Sequence, residues 1–166
     1  MEKIRLINVI QNQGDLIMFK KISTIALVTL FALLSLTAHA QESPVGLWKT
    51  IDDVSGKVKS FVRITEEDGV LSGTVEKIFR KPEEDQNPLC TKCDGADKGK
   101  PIIGLVILTG MKKVGNEYSG GMITDPDNGK HYKCIMTLKD GGKKLNVRGF
   151  IGISLFGRTQ TWVREQ

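Results

Sequence analysis

Cys90-Thr91-Lys92-Cys93 is the one motif in this 166-residue sequence with reactive potential. In a reducing compartment a Cys-x-x-Cys pair suggests zinc ligation or thiol–disulfide exchange. A four-thiolate zinc site needs a second such pair, and the sequence has 3 cysteines in all. His131 and Cys134 do not complete a site, because they stand three residues apart on a strand-like pattern and odd offsets point to opposite faces. No helix N-terminus is at hand to lower a thiol pKa. The expectation is no metal and a structural Cys90–Cys93 disulfide, the usual fate of exported thiols. Cys134 alternates with Tyr132, Met136 and Leu138 on the more apolar side of its segment, so it reads as a small buried hydrophobe. It remains an alternative partner for either loop cysteine.

Conventional catalysis has little to work with. His131 shares its side with Lys133 and Thr137, a solvated pattern. Asp52 and Asp53 are adjacent and hence point apart, a poor acid/base pair. No Ser or Cys occupies a nucleophile elbow, and no glycine-rich loop precedes a helix. Asp125-Pro126-Asp127-Asn128-Gly129 hints at a calcium loop, but the glycine is misplaced and the downstream bidentate Glu is missing, so a hairpin turn is the better reading. No catalytic residue and no cofactor is expected, and an enzyme is the minority reading. Residues 41–166 carry 20 Lys+Arg against 17 Asp+Glu. So small and evenly spread an excess excludes a nucleic-acid groove.

Those residues follow a targeting pattern. From Met18 the chain reads MFKKISTIALVTLFALLSLTAHA. Lys20 and Lys21 form a positive start, residues 22–36 form an apolar run, and Ala38-His39-Ala40 has the small-x-small form of a signal peptidase site. The run is shorter than the roughly 20 residues of a membrane span. No cysteine for a lipid anchor lies near the cleavage point, and polar residues interrupt every later apolar run. The expected organisation is an overlong gene start over 1–17, a signal peptide over 18–40, and one domain over 41–166. The mature protein is expected to be periplasmic or secreted, with no membrane span.

Within that domain, period-2 patterns alternate with Gly/Asp/Asn clusters every 8–12 residues or so, the spacing of a sandwich or barrel. Eight strands are predicted: 45–52, 57–64, 69–79, 103–112, 117–124, 130–139, 143–151 and 155–164. Short connections favour an antiparallel meander. Residues 80–102 break the rhythm, and loops of that length are usually functional, stapled or disordered. The two cysteines make stapling the first candidate.

A meander becomes a barrel when its first and last strands pair. Gly46-Leu47-Trp48 opens the first strand, while Arg158, Trp162 and Arg164 lie in the last. A large indole can plug one end, with an arginine stacked on it and Gly46 leaving space beside the ring. This arrangement resembles the calycins: lipocalins, fatty-acid-binding proteins and avidins. The segments GLWKTIDDVSGKVKSFVRI, DGVLSGTV, CTKC, GKPIIGLVIL, DPDNGKHY and VRGFIGISLFGRTQTWVR resemble more closely an uncharacterised family of small secreted bacterial proteins. That family is catalogued as a domain of unknown function, and its fold is lipocalin-like. The resemblance implies secretion and an all-β, up-and-down barrel of about eight strands; it supplies no activity.

An eight-stranded barrel is filled by side chains or holds one small ligand. The expected function is binding of a small amphipathic or anionic ligand, with Tyr132, Arg158, Gln160 and Trp162 as candidate contacts. Phe156, Arg158, Gln160, Trp162 and Arg164 share one side of the last strand. If that side faces inward, Arg158 is a buried cation that needs an anionic partner; alternatively Arg158 stacks on Trp48 and belongs to barrel closure, with Gly46 and Arg164. Both roles can also hold at opposite barrel ends, divided between Arg158 and Arg164. The alternative function is an envelope interaction module, with a filled barrel and a partner-binding 80–102 loop.

Overall fold

A computed structural model describes residues 43–165. The expected signal peptide and the segment before it lie outside those residues. The strands are β1 (Gly46–Ile51), β2 (Val58–Glu67), β3 (Val70–Ile78), β4 (Val106–Val114), β5 (Glu117–Asp125), β6 (Lys130–Lys139), β7 (Lys144–Phe150) and β8 (Arg158–Arg164). Each pairs antiparallel with the next, and β8 returns to β1 through Trp48↔Arg164 and Lys49↔Val163. The barrel is closed, as the sequence predicts. Among the described residues no helix is long and apolar enough to cross a membrane.

Three strand boundaries differ from expectation by three residues. β2 runs on to Glu67 rather than 64, because pairing with β3 continues to Glu67↔Val70 across a turn of only two residues. β4 begins at Val106 rather than 103, because residues 102–105 turn back on β3: Leu105 N donates to Ile102 O at 3.2 Å and Gly104 N to Val75 O at 2.8 Å. β8 begins at Arg158 rather than 155, because Ser154–Phe156 winds into a 3-10 turn. Arg148 holds that turn by donating to the carbonyls of Ser154 and Leu155, which are therefore lost to strand pairing.

Alternation along each strand sends one set of side chains inward. Trp48, Val62, Ile64, Leu71, Leu108, Met111, Met136 and Leu145 are fully buried and fill one end of the barrel. At that end the connections are short: residues 68–69, 115–116 and 140–143. Asp68 and Asp140 take positive φ there, 51° and 52°, which Asp tolerates better than most residues. The opposite end carries the longer connections 52–57, 79–105 and 151–157, together with the 126–129 turn. This asymmetry decides where an opening can form.

The filled end is shut by the predicted indole–arginine pair. Trp48 Nε1 donates to Pro44 O at 2.7 Å, and the Arg164 guanidinium lies 4.2 Å from the ring centroid. Arg164 also donates to the carbonyls of Gly142 (2.7 Å), Val45 (2.8 Å) and Ser43 (2.6 Å), fastening residues 43–45 and the β6–β7 connection together. Gly46 sits at φ 137°, and a Cβ there would come within 2.7 Å of Arg164 Nη1. Any larger residue at 46 would displace the stacked arginine.

Candidate functional site

The other end of the barrel opens into a cavity of about 710 Å³. Its wall is built by the inward residues of the strand ends that meet there. Val75, Ile107, Ile123, Val147 and Trp162 supply apolar surface, while Thr50, Ser60, Tyr132 and Gln160 supply polar atoms. Thr50 is nearly fully buried, and its hydroxyl lies 2.7 Å from that of Ser60, so the pair satisfies itself inside the wall. The indole N–H of Trp162 is buried without a hydrogen-bond partner among the described residues. Tyr132 Oη accepts from Asn128 Nδ2 at 3.1 Å, which ties it to the β5–β6 turn.

Charge is confined to the mouth. Arg158 pairs with Asp53, Lys59 with Asp127, and Arg80 lies 3.6 Å from Glu84. Gln160 Nε2 adds a 3.4 Å contact to the same Asp53 oxygen. Exposed pairs of this kind contribute roughly 0–1 kcal/mol each, so an incoming anion could displace one carboxylate at little cost. Mouth and wall together are amphipathic: a mostly apolar interior with a few polar groups, and ion pairs at the rim.

Tyr132, Arg158, Gln160 and Trp162 all line this cavity. The two arginines, Arg158 and Arg164, stand at opposite ends of the barrel, and each single reading of Arg158 is corrected. Its side chain is 67% exposed and paired with Asp53, so it is not a buried cation. Nor does it stack on Trp48, because antiparallel register places Arg164 opposite Trp48 and Arg158 six residues away at the open end. The barrel is also neither wholly hollow nor wholly filled. Thr50, Ser60, Ile123, Val147 and Asp53 were not among the predicted site residues. Parity could have found Thr50, since it shares an inward face with Trp48 two residues before it; Asp53 lies in a turn, where no parity applies.

The 79–105 connection packs beside the mouth. Cys90 and Cys93 are joined in a disulfide with Cα atoms 5.4 Å apart, and Cys134 is a buried free thiol whose pKa burial pushes up to about 12. With their sulfurs bonded to each other, Cys90 and Cys93 have no thiolate for an ion. His131 is exposed as expected but not isolated. Its Nδ1 lies 2.8 Å from Thr124 Oγ1 and its Nε2 lies 2.9 Å from Asp94 Oδ1, linking the cysteine loop to β5 and β6. That hydrogen bond holds the Asp94 carboxyl below its usual range. On the other side, Lys92 Nζ donates to Asp127 O at 2.8 Å.

With fold and cavity in view, the relatives are informative. Residues 46–164 match the family described as "uncharacterized protein conserved in bacteria", DUF2147. The chain belongs to that family. No curated protein matches it. Among solved structures it is similar to protein HP1028 from the human pathogen Helicobacter pylori, which is described as belonging to the lipocalin family. The two share 21% sequence identity over 75% of this chain and 84% of the other, with a TM-score of 0.64. At that identity the likeness is one of fold: this member of the family is a lipocalin-like barrel.

Proposed function

We propose that the protein is a periplasmic or secreted carrier or sensor of one small amphipathic ligand with an anionic or polar head. The observation that carries this reading is the half-open barrel, filled at the Trp48 end and hollow at the Arg158 end. A volume of about 710 Å³ falls within the roughly 300–1,000 Å³ of small-molecule sites, which are mostly apolar with a few placed polar groups. The apolar part of the ligand would lie against Ile107, Ile123 and Val147. Its head would remain at the mouth and compete with Asp53 for Arg158. The Cys90–Cys93 bridge supports an oxidising compartment.

Native mass spectrometry of protein purified from its own cell envelope tests the proposal, and a retained small molecule is the expected result. In parallel, 1-anilinonaphthalene-8-sulfonate serves as an amphipathic anionic probe. Val147→Phe should fill the hollow and weaken probe binding by about tenfold or more, while the melting temperature stays near that of the parent. Arg158→Gln should weaken the anionic probe more than an uncharged analogue. Envelope protein free of any small molecule, together with probe binding indifferent to Val147→Phe, would remove the cavity from the function.

A further inference from the structure

We propose that the β7–β8 connection is a membrane-docking loop that seats the cavity mouth on a lipid bilayer. Residues 151–157 read Ile-Gly-Ile-Ser-Leu-Phe-Gly. Ile151, Ile153, Leu155 and Phe156 are 66%, 60%, 75% and 79% exposed. Single exposed apolar residues are ordinary, but a contiguous group marks an interaction site.

The loop is held in this presentation. Arg148 Nε and Nη2 donate to Ser154 O at 2.8 and 2.5 Å, Nη2 to Leu155 O at 3.1 Å, and Nη1 to Thr159 Oγ1 at 2.8 Å. One guanidinium thus fixes the backbone of the 3-10 turn with its apolar side chains facing water. The neighbouring β1–β2 turn, tied to β8 by the Asp53–Arg158 pair, adds Val54 at 97% exposure.

The chemistry of the tip selects its occupant. Its four apolar side chains expose on the order of 500 Å², less than the roughly 800 Å² each partner of a standard protein interface contributes. A second copy is therefore a poor match. Protein interfaces also surround an apolar centre with a polar rim, whereas Ser154 is the only polar side chain among these seven residues. An apolar tip with charged groups at its base suits a bilayer, where apolar groups insert about 5–10 Å and charged ones stay among the headgroups. Arg158 with its partner Asp53, and Lys57 of the β1–β2 turn, are exposed beside that base. Ile151 and Phe156 also line the cavity, so the loop is continuous with the opening through which an amphipathic ligand would pass. The docking rests on the ligand-binding reading for its purpose but not for its test.

Flotation of the processed chain with vesicles of phosphatidylethanolamine and phosphatidylglycerol reads the loop directly. The parent protein should float with the vesicles and remain bound at high salt. Ile153→Ser with Leu155→Ser should lower partitioning by more than about tenfold, while Ile153→Leu with Leu155→Met should retain it. Neither residue lines the cavity, so probe binding in solution should be unchanged in both variants and separates loss of docking from loss of the cavity. A parent protein that stays with the soluble fraction overturns the proposal. So does a serine variant that floats equally well, or a parent dimer in sedimentation velocity that the serine variant dissolves.

Discussion

Trp48 and Arg164 join the first and last strands of the barrel, and their contacts explain why two side chains should matter so much. The indole is fully buried and its N–H is satisfied, while the guanidinium covers its face and takes three backbone carbonyls. Removing the ring leaves a cavity at the filled end and deprives Arg164 of its platform. Trp48→Ala should therefore lower stability by about 3–5 kcal/mol in urea denaturation; a loss under about 1 kcal/mol would contradict a core role. Cys134 behaves in the opposite way. Burial pushes its thiol up to about 12, leaving almost no thiolate at neutral pH, and thiolate is the reactive form. Iodoacetamide at pH near 8 should leave native Cys134 unmodified and label it only after unfolding. Rapid labelling of the native protein would place that thiol at the surface.

The 79–105 connection shows how a long segment becomes ordered without a core of its own. The Cys90–Cys93 bridge closes only a small ring, so its entropic stabilisation falls below the roughly 3 kcal/mol of a 15-residue loop. The rest comes from docking on the β5–β6 turn. Gly129 is the contact point: at φ 73°, a Cβ there would lie 1.8 Å from Lys92 O, so only a glycine lets the two backbones approach. Replacing both Cys90 and Cys93 by Ser, or Gly129 by Ala, should expose residues 80–102 to limited proteolysis. The first change should shift the melting temperature little, because the barrel strands are untouched. Unchanged protease resistance in both variants would show that the segment is held by contacts other than these.

The barrel is polarised along its axis, with short connections and a plugged core at one end and an open mouth at the other. Such a barrel suits uptake from one direction. Export is proposed on the pattern of residues 18–40, and its consequence is direct: the protein recovered from the envelope should begin at Gln41. Detection of Met1 or Met18 on the exported form would refute that processing.

Strand number, barrel closure and the Cys90–Cys93 pairing were legible in the sequence because each depends on local features. Those features are two-residue alternation, turn residues, a two-residue spacer, and an indole and an arginine in the first and last strand patterns. The choice between Arg158 and Arg164 was not local. It required the β1–β8 register, which brings residues more than a hundred positions apart into contact. The His131–Asp94 link and the Asp53–Arg158 pair were hidden for the same reason, since each has a partner in a turn where alternation carries no information. The sequence by itself determined a closed antiparallel barrel with one stacked tryptophan. Only the tertiary structure decided that large side chains fill one half and leave the other hollow, because a void depends on which residues meet across the barrel, not on their order along it.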